Sequence, residues 1–146
     1  MRVLLTRAGA VYRLGRLRLQ ALWPDGPGEP DDDPNENAIV LLASYGEVDA
    51  FLPADAESNV TFRLRLPPVE ILKVAHHGSA DPLLPALLRR LRPEVAVVSA
   101  GEDNAYGHPA PSTLAALTGV RVYRTDRDGR VTLESDGRAL SVRTER

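Results

Sequence analysis

The 146-residue chain contains three histidines, and two of them stand side by side in "ILKVAHHGS", at the end of an apolar run. His76 and His77 follow "VEILKVA", Asp55 follows "VDAFLPA", and His108 lies in "GEDNAYGHP" after "EVAVVSA". Imidazole and carboxylate groups bind divalent metals and exchange protons near neutral pH. In α/β sheets such groups collect where strands end at their C-terminal edge. Each residue also has a structural reading. Asp55 could cap a helix that follows it. His108, between Gly107 and Pro109, suits a turn, and a histidine pair is often ordinary. Their weight is collective, because neighbouring strands would place all of them on one edge.

The elements that would position these residues can be read from periodicity and punctuation. "RLRLQALW" (16–23) alternates like a half-buried strand and pairs with the stretch before Gly15 as a hairpin. The Pro-, Gly- and Asp-rich segment 24–37 is a long polar loop within one domain spanning 1–146. Residues 38–55 read as two strands around "YGE", the first apolar throughout and so buried on both faces. Residues 56–66 are helical or irregular, and 69–75 form a buried strand. Leucines 84, 87, 88 and 91 give residues 82–91 one apolar helical face, with Asp81 as N-cap and Pro82 in the first turn. A buried strand (94–101), a short helix (110–119, closed by Gly119) and a strand (120–125) follow. Turns at "DRDG" and "DG" then connect strands 130–135 and 138–144. The order from residue 69 predicts an α/β fold with a partly parallel, mixed sheet and a C-terminal antiparallel meander.

Other chemistries lack support. With no cysteine, the chain has no disulfide, thiolate zinc site or cysteine nucleophile. Ser79 and Ser99 lie outside any G-x-S-x-G elbow, and no phosphate-cradling glycine loop is present. Aspartates 31–33 read as a solvated acidic loop rather than a calcium site. "TDRDGR" (125–130) reads as a turn, since it lacks the later ligands of a calcium loop. No apolar run approaches the roughly 20 residues of a membrane span, and the arginine-interrupted start is no signal peptide, so the chain reads as soluble. The net charge of −2 divides unevenly, with five basic and ten acidic residues up to residue 62 and thirteen basic and ten acidic after it. That is a weak electrostatic footprint for a polyanionic partner. The single lysine, Lys73, stands against 17 arginines.

Five segments in order, "DPNENAIVLLASYG", "FLPADAES", "VEILKVAHHGSAD", "NAYGHPAPSTLAAL" and "VYRTDRDGRVTL", carry a resemblance over roughly residues 16–135. They are similar to the C-terminal half of the metallo-β-lactamase-fold domain of ComEC-type DNA-uptake proteins. The resemblance implies half of an αββα sandwich and a metal-dependent phosphodiesterase or nuclease, acting on one strand of incoming DNA. It places Asp55 at the family's metal-bridging aspartate, with "PADAE" where "TGDAE" is usual. It places the His76–His77 pair at the late histidine ligand, with His77 favoured and His76 lining the pocket. Asn104, Tyr106 and His108, with Ser79, become candidate contacts to substrate phosphate or supports for the ligands. His108 is also the candidate proton donor, with Asp55 its catalytic partner.

The family's H-x-H-x-D-H motif is absent, since no histidine stands in that spacing. The zinc or manganese of an intact domain would find about two ligands here, where three or more are needed. The chain alone is therefore expected to be inactive, with no complete metal site of its own. It reads as a fragment or truncation of a cytoplasmic-membrane protein whose domain lies outside the membrane. The alternatives are a metal-free half-domain that binds DNA or a partner through its basic C-terminal half, and another hydrolase of the superfamily. An exposed sheet face would also invite homodimerisation.

Overall fold

The computed structural model describes residues 6–27 and 33–146. Seven strands form one mixed sheet in which spatial order equals chain order: β1 (Val11–Leu14), β2 (Leu17–Trp23), β3 (Val40–Tyr45), β4 (Val48–Leu52), β5 (Ile71–Lys73), β6 (Val95–Val98) and β7 (Arg121–Arg124). The first four pair antiparallel, and β4 through β7 pair parallel. In the antiparallel part tight turns at Gly15 and Gly46 join β1 to β2 and β3 to β4, and the long segment between Trp23 and Val40 joins β2 to β3. Each parallel step needs a crossover, made by α1 (Ser58–Thr61), α2 (Leu84–Leu91) and α3 (Pro111–Ala116).

Register explains which residues become core. Leu42, Phe51, Leu72, Ala96 and Val122 lie in one row across five strands. They point to the helix-covered face and join Val60, Leu84, Leu87, Leu88, Leu91 and Leu117 in the main apolar cluster. Burying leucines or a phenylalanine of this kind contributes about 1.5–3 kcal/mol each. On the opposite face Ala21, Val48, Ile71 and Val95 are buried, while Leu41, Ala43, Leu52 and Val97 keep partial exposure. The strand expected to be buried on both faces thus buries Val40 and Leu42 toward the helices, while Leu41 and Ala43 on the other side are only half-buried.

Several elements differ from the sequence expectations. α2 starts at Leu84 rather than residue 82, with Pro85 in its first turn and no side-chain cap. Asp81 instead accepts the N–H of Leu83 at 3.0 Å and the N–H of Ser58 at 3.0 Å, tying the entry to α2 onto α1. Asp55 caps nothing, because the cap position of α1 is Glu57. "TDRD" forms a short helix, α4 (Thr125–Asp128), not a hairpin turn. The C-terminal strands β8 (Val131–Ser135) and β9 (Leu140–Thr144) pair antiparallel as predicted, but as a separate two-stranded sheet. That hairpin docks by its tip. Glu47 N–H donates to Gly137 O at 2.6 Å, and a Cβ on Gly46 would lie 2.2 Å from the same oxygen. Among the described residues no helix is long and apolar enough to cross a membrane.

Candidate functional site

The parallel strands β4, β5 and β6 bring their C-terminal exits side by side. After β4 the chain turns through Ala54, whose φ of +53° is left-handed, a conformation unusual for a residue with a Cβ. The Ala54 carbonyl accepts two hydrogen bonds that hold this turn, from His76 N–H at 3.1 Å and from Lys73 Nζ at 3.3 Å. Lys73 is half-buried on β5. Burial pushes its ammonium below the usual lysine range, and the nearby Asp55 carboxylate partly restores it. The chain's one lysine is thus a strut beneath the aspartate.

From this turn Asp55 and Glu57 leave on one side of an extended stretch, while Ala56 between them is fully buried. This i, i+2 arrangement follows from the two-residue period of extended backbone. Both carboxylates line a polar cavity with Asp33, Glu36, Asn59 and His76. Glu36 comes from the end of the long loop, and its side chain accepts from Asn59 Nδ2 at 2.5 Å. Asp33 accepts the N–H of Asn35 at 2.9 Å. Asp31 and Asp32 lie outside the described residues.

The histidine pair occupies a tight 3-10 turn, His76–Gly78, with His76 at φ +44° and His77 at φ +54°. Both rings are pinned through Nδ1. His77 Nδ1 donates to the Ser99 carbonyl at 2.7 Å, and His76 Nδ1 donates to Glu57 at 3.0 Å. A carbonyl or a carboxylate can only accept, so in the neutral imidazole the proton sits on Nδ1 and Nε2 keeps a lone pair for a ligand. Ser79 Oγ donates to the same Glu57 oxygen. His77 Nε2 lies 3.8 Å from Asp55 Oδ1, too long for a hydrogen bond. Gly78 permits the turn to pack against the next loop. At φ +83° a Cβ there would lie 2.7 Å from Pro109 Cβ, and Gly78 O accepts Ala110 N–H at 2.8 Å.

That next loop carries His108. Asn104 stitches it closed, donating from Nδ2 to Gly101 O and His108 O at 2.8 Å each and accepting His108 N–H at 2.9 Å. The His108 ring lies 5.9 Å from that of His76, and the Tyr106 ring stacks at 6.0 Å from His108. Asn104 is therefore a loop brace, with its amide engaged by backbone.

The strand order thus assembles Asp55, His76, His77, His108, Tyr106, Asn104 and Ser79 on one edge. Sequence alone assigns no site role to Glu57 or to Lys73. Glu57 could have been found from its i, i+2 spacing to Asp55. Lys73 gave only its position at the end of a strand, three residues before His76. Among the described residues, no three His, Asp or Glu side chains converge as a metal site, and Asp55 with His77 makes a pair. Tested against zinc, which takes three or more protein ligands, the described residues do not make a complete site.

No family model matches the chain, and no solved structure matches it. Among curated proteins it is similar to ComE operon protein 3 of Bacillus subtilis (strain 168), 30% identical over 134 residues, which cover 86% of this chain and 17% of that protein. It is also similar to Recombination protein 2 of Haemophilus influenzae, 33% identical over 112 residues, covering 75% of this chain and 14% of that protein. The chain spans about a sixth of the length of these relatives. Over most of its own length, the chain belongs with the ComEC-type competence proteins.

Proposed function

We propose that this chain is one part of a metal-dependent phosphodiesterase domain of a ComEC-type protein, working on DNA during uptake at the cytoplasmic membrane, on its outer side. The observation that carries the reading is the pair His77 Nε2 and Asp55 Oδ1, 3.8 Å apart on a strained turn, with the second nitrogen of His77 already committed to Ser99 O. A histidine whose Nδ1–H is held by a carbonyl presents an oriented Nε2 donor, as metal-ligating imidazoles do. A bound divalent cation, zinc or manganese, would supply charge stabilisation of a phosphate and an acidified water. Asp55 and His77 are two donors toward it, and the remaining ligands come from outside these residues, from the rest of the parent or a second copy. His108 is placed on the same edge to hydrogen-bond a phosphate oxygen or to protonate a leaving oxygen, and the chain by itself is inactive.

Elemental analysis and titration with zinc and manganese, on wild type beside Asp55→Ala and His77→Ala, test this. Residual metal affinity in wild type, lost in both variants, is expected. Equal binding by all three proteins overturns the assignment. Binding of single-stranded DNA that survives chelation and disappears only with added salt would favour a metal-free electrostatic module instead. Light scattering in the presence of metal separates completion by a second copy from completion by the parent protein.

A further inference from the structure

Tyr106 is 84% exposed, more than any other large apolar or aromatic side chain described. Such a ring on a loose loop would mean little. This loop is not loose, because the Asn104 amide closes it with three hydrogen bonds. One side of the Tyr106 ring is backed by His108, with centroids 6.0 Å apart and planes only 13° from parallel. The rings then run inward, from His108 to His76 at 5.9 Å and from His76 to His77 at 6.4 Å. Beside them lies a cavity lined by His77, Ala100, Gly101, Asn104, Tyr106 and His108. No carboxylate, lysine or arginine lines it, in contrast to the acidic cavity around Asp55.

We infer that Tyr106, backed by His108, is a stacking platform for one unpaired nucleobase of a single-stranded polynucleotide whose phosphodiester lies at the neighbouring His77–Asp55 edge. The substrate class rests on the function proposed above. The platform itself rests on ring geometry. A fixed, solvent-facing aromatic surface beside an uncharged, shallow cavity suits a flat neutral ring. Aromatic platforms bind bases with little sequence preference because every base has a π-face. A base paired within a duplex offers no free face, so the platform selects single strands.

The test uses the intact chain and two small probes, deoxyadenosine 5′-monophosphate and deoxyribose 5-phosphate, followed by NMR of the tyrosine and histidine ring protons. With the nucleotide, upfield ring-current shifts at Tyr106 and His108 are expected, and with the sugar phosphate none at Tyr106. Tyr106→Ala is expected to weaken nucleotide binding by about five- to a hundred-fold, and Tyr106→Phe to stay within about twofold of wild type. Equal responses to both probes, no response to either, or unchanged affinity in Tyr106→Ala each overturn the platform. Responses of His108 to both probes without a Tyr106 ring-current shift would overturn it while leaving the phosphodiester reading standing. Tyr106 shifts given equally by the free nucleoside, with no contribution from phosphate, would support the platform and count against that reading.

Discussion

Two exits from the same sheet edge carry aspartates and use them in opposite ways. Where β7 ends, Asp126 forms a two-pronged pair with Arg124, and the two side chains are only 10% and 14% exposed. Asp128 accepts the Arg124 N–H at 2.6 Å. The Arg124 guanidinium holds the Asp126 carboxyl below the usual range. Where β4 and β5 end, Asp55 is 38% exposed, and among the described residues its charged neighbours are His77 at 3.8 Å and Lys73, with no guanidinium. Three non-glycine residues there, Ala54, His76 and His77, sit in left-handed backbone. Each such residue costs on the order of 1–3 kcal/mol. The first exit is arranged for stability. The second holds strain and half-exposed donors, which is what the proposed site requires.

Asp126→Ala should show the largest effect, a loss of about 3 kcal/mol in denaturant unfolding, because it leaves the Arg124 guanidinium, only 14% exposed, without its partner. The acid response follows from the direction of the shift. A carboxyl lowered in the folded state stabilises the protein fully above its unfolded value, and this stabilisation disappears as pH falls through the folded value. Wild type should therefore lose stability below about pH 4, and Asp126→Ala should flatten that slope. Gly78→Ala should come next, at about 2 kcal/mol by thermal unfolding, since it adds left-handed strain and a clash with Pro109. Asp55→Ala, in metal-free buffer, should change stability by less than about 0.5 kcal/mol. A cost for Asp55→Ala equal to that for Asp126→Ala would break the comparison. Ala54→Gly sharpens it. It removes a Cβ from the left-handed turn and should stabilise by only a few tenths of a kcal/mol, because glycine also gains unfolded-state entropy.

Most of the fold was legible because its signals are local. Alternation marked β2, the leucine spacing marked α2, and the strand–helix order from Val69 implied parallel pairing. The misread features are those decided by tertiary partners. Asp81 looks like a cap in sequence, but its carboxylate is claimed by Ser58, 23 residues away. "DRDG" looks like a hairpin turn, but β8 leaves the main sheet and pairs only with β9, so a helix links the two. The site was legible as far as strand order reaches, which is why Asp55, the histidine pair and His108 were grouped. Which ring nitrogens are free, and that Glu57 joins His76 to Ser79, depend on side-chain geometry that no spacing encodes.

The strand order has a consequence for how the chain is made. Every strand of the main sheet lies beside its predecessor in the chain, and none is inserted between two earlier ones. A ribosome emits the chain in that same order. Each new strand therefore finds its partner already at the growing edge, and no earlier pair must open to admit it. The antiparallel strands, two short-turn hairpins joined by one longer loop, form the starting template. Asp55 leaves the last strand of that template, and the histidines that face it, carried by the exits of β5 and β6, are set in place only after the template exists.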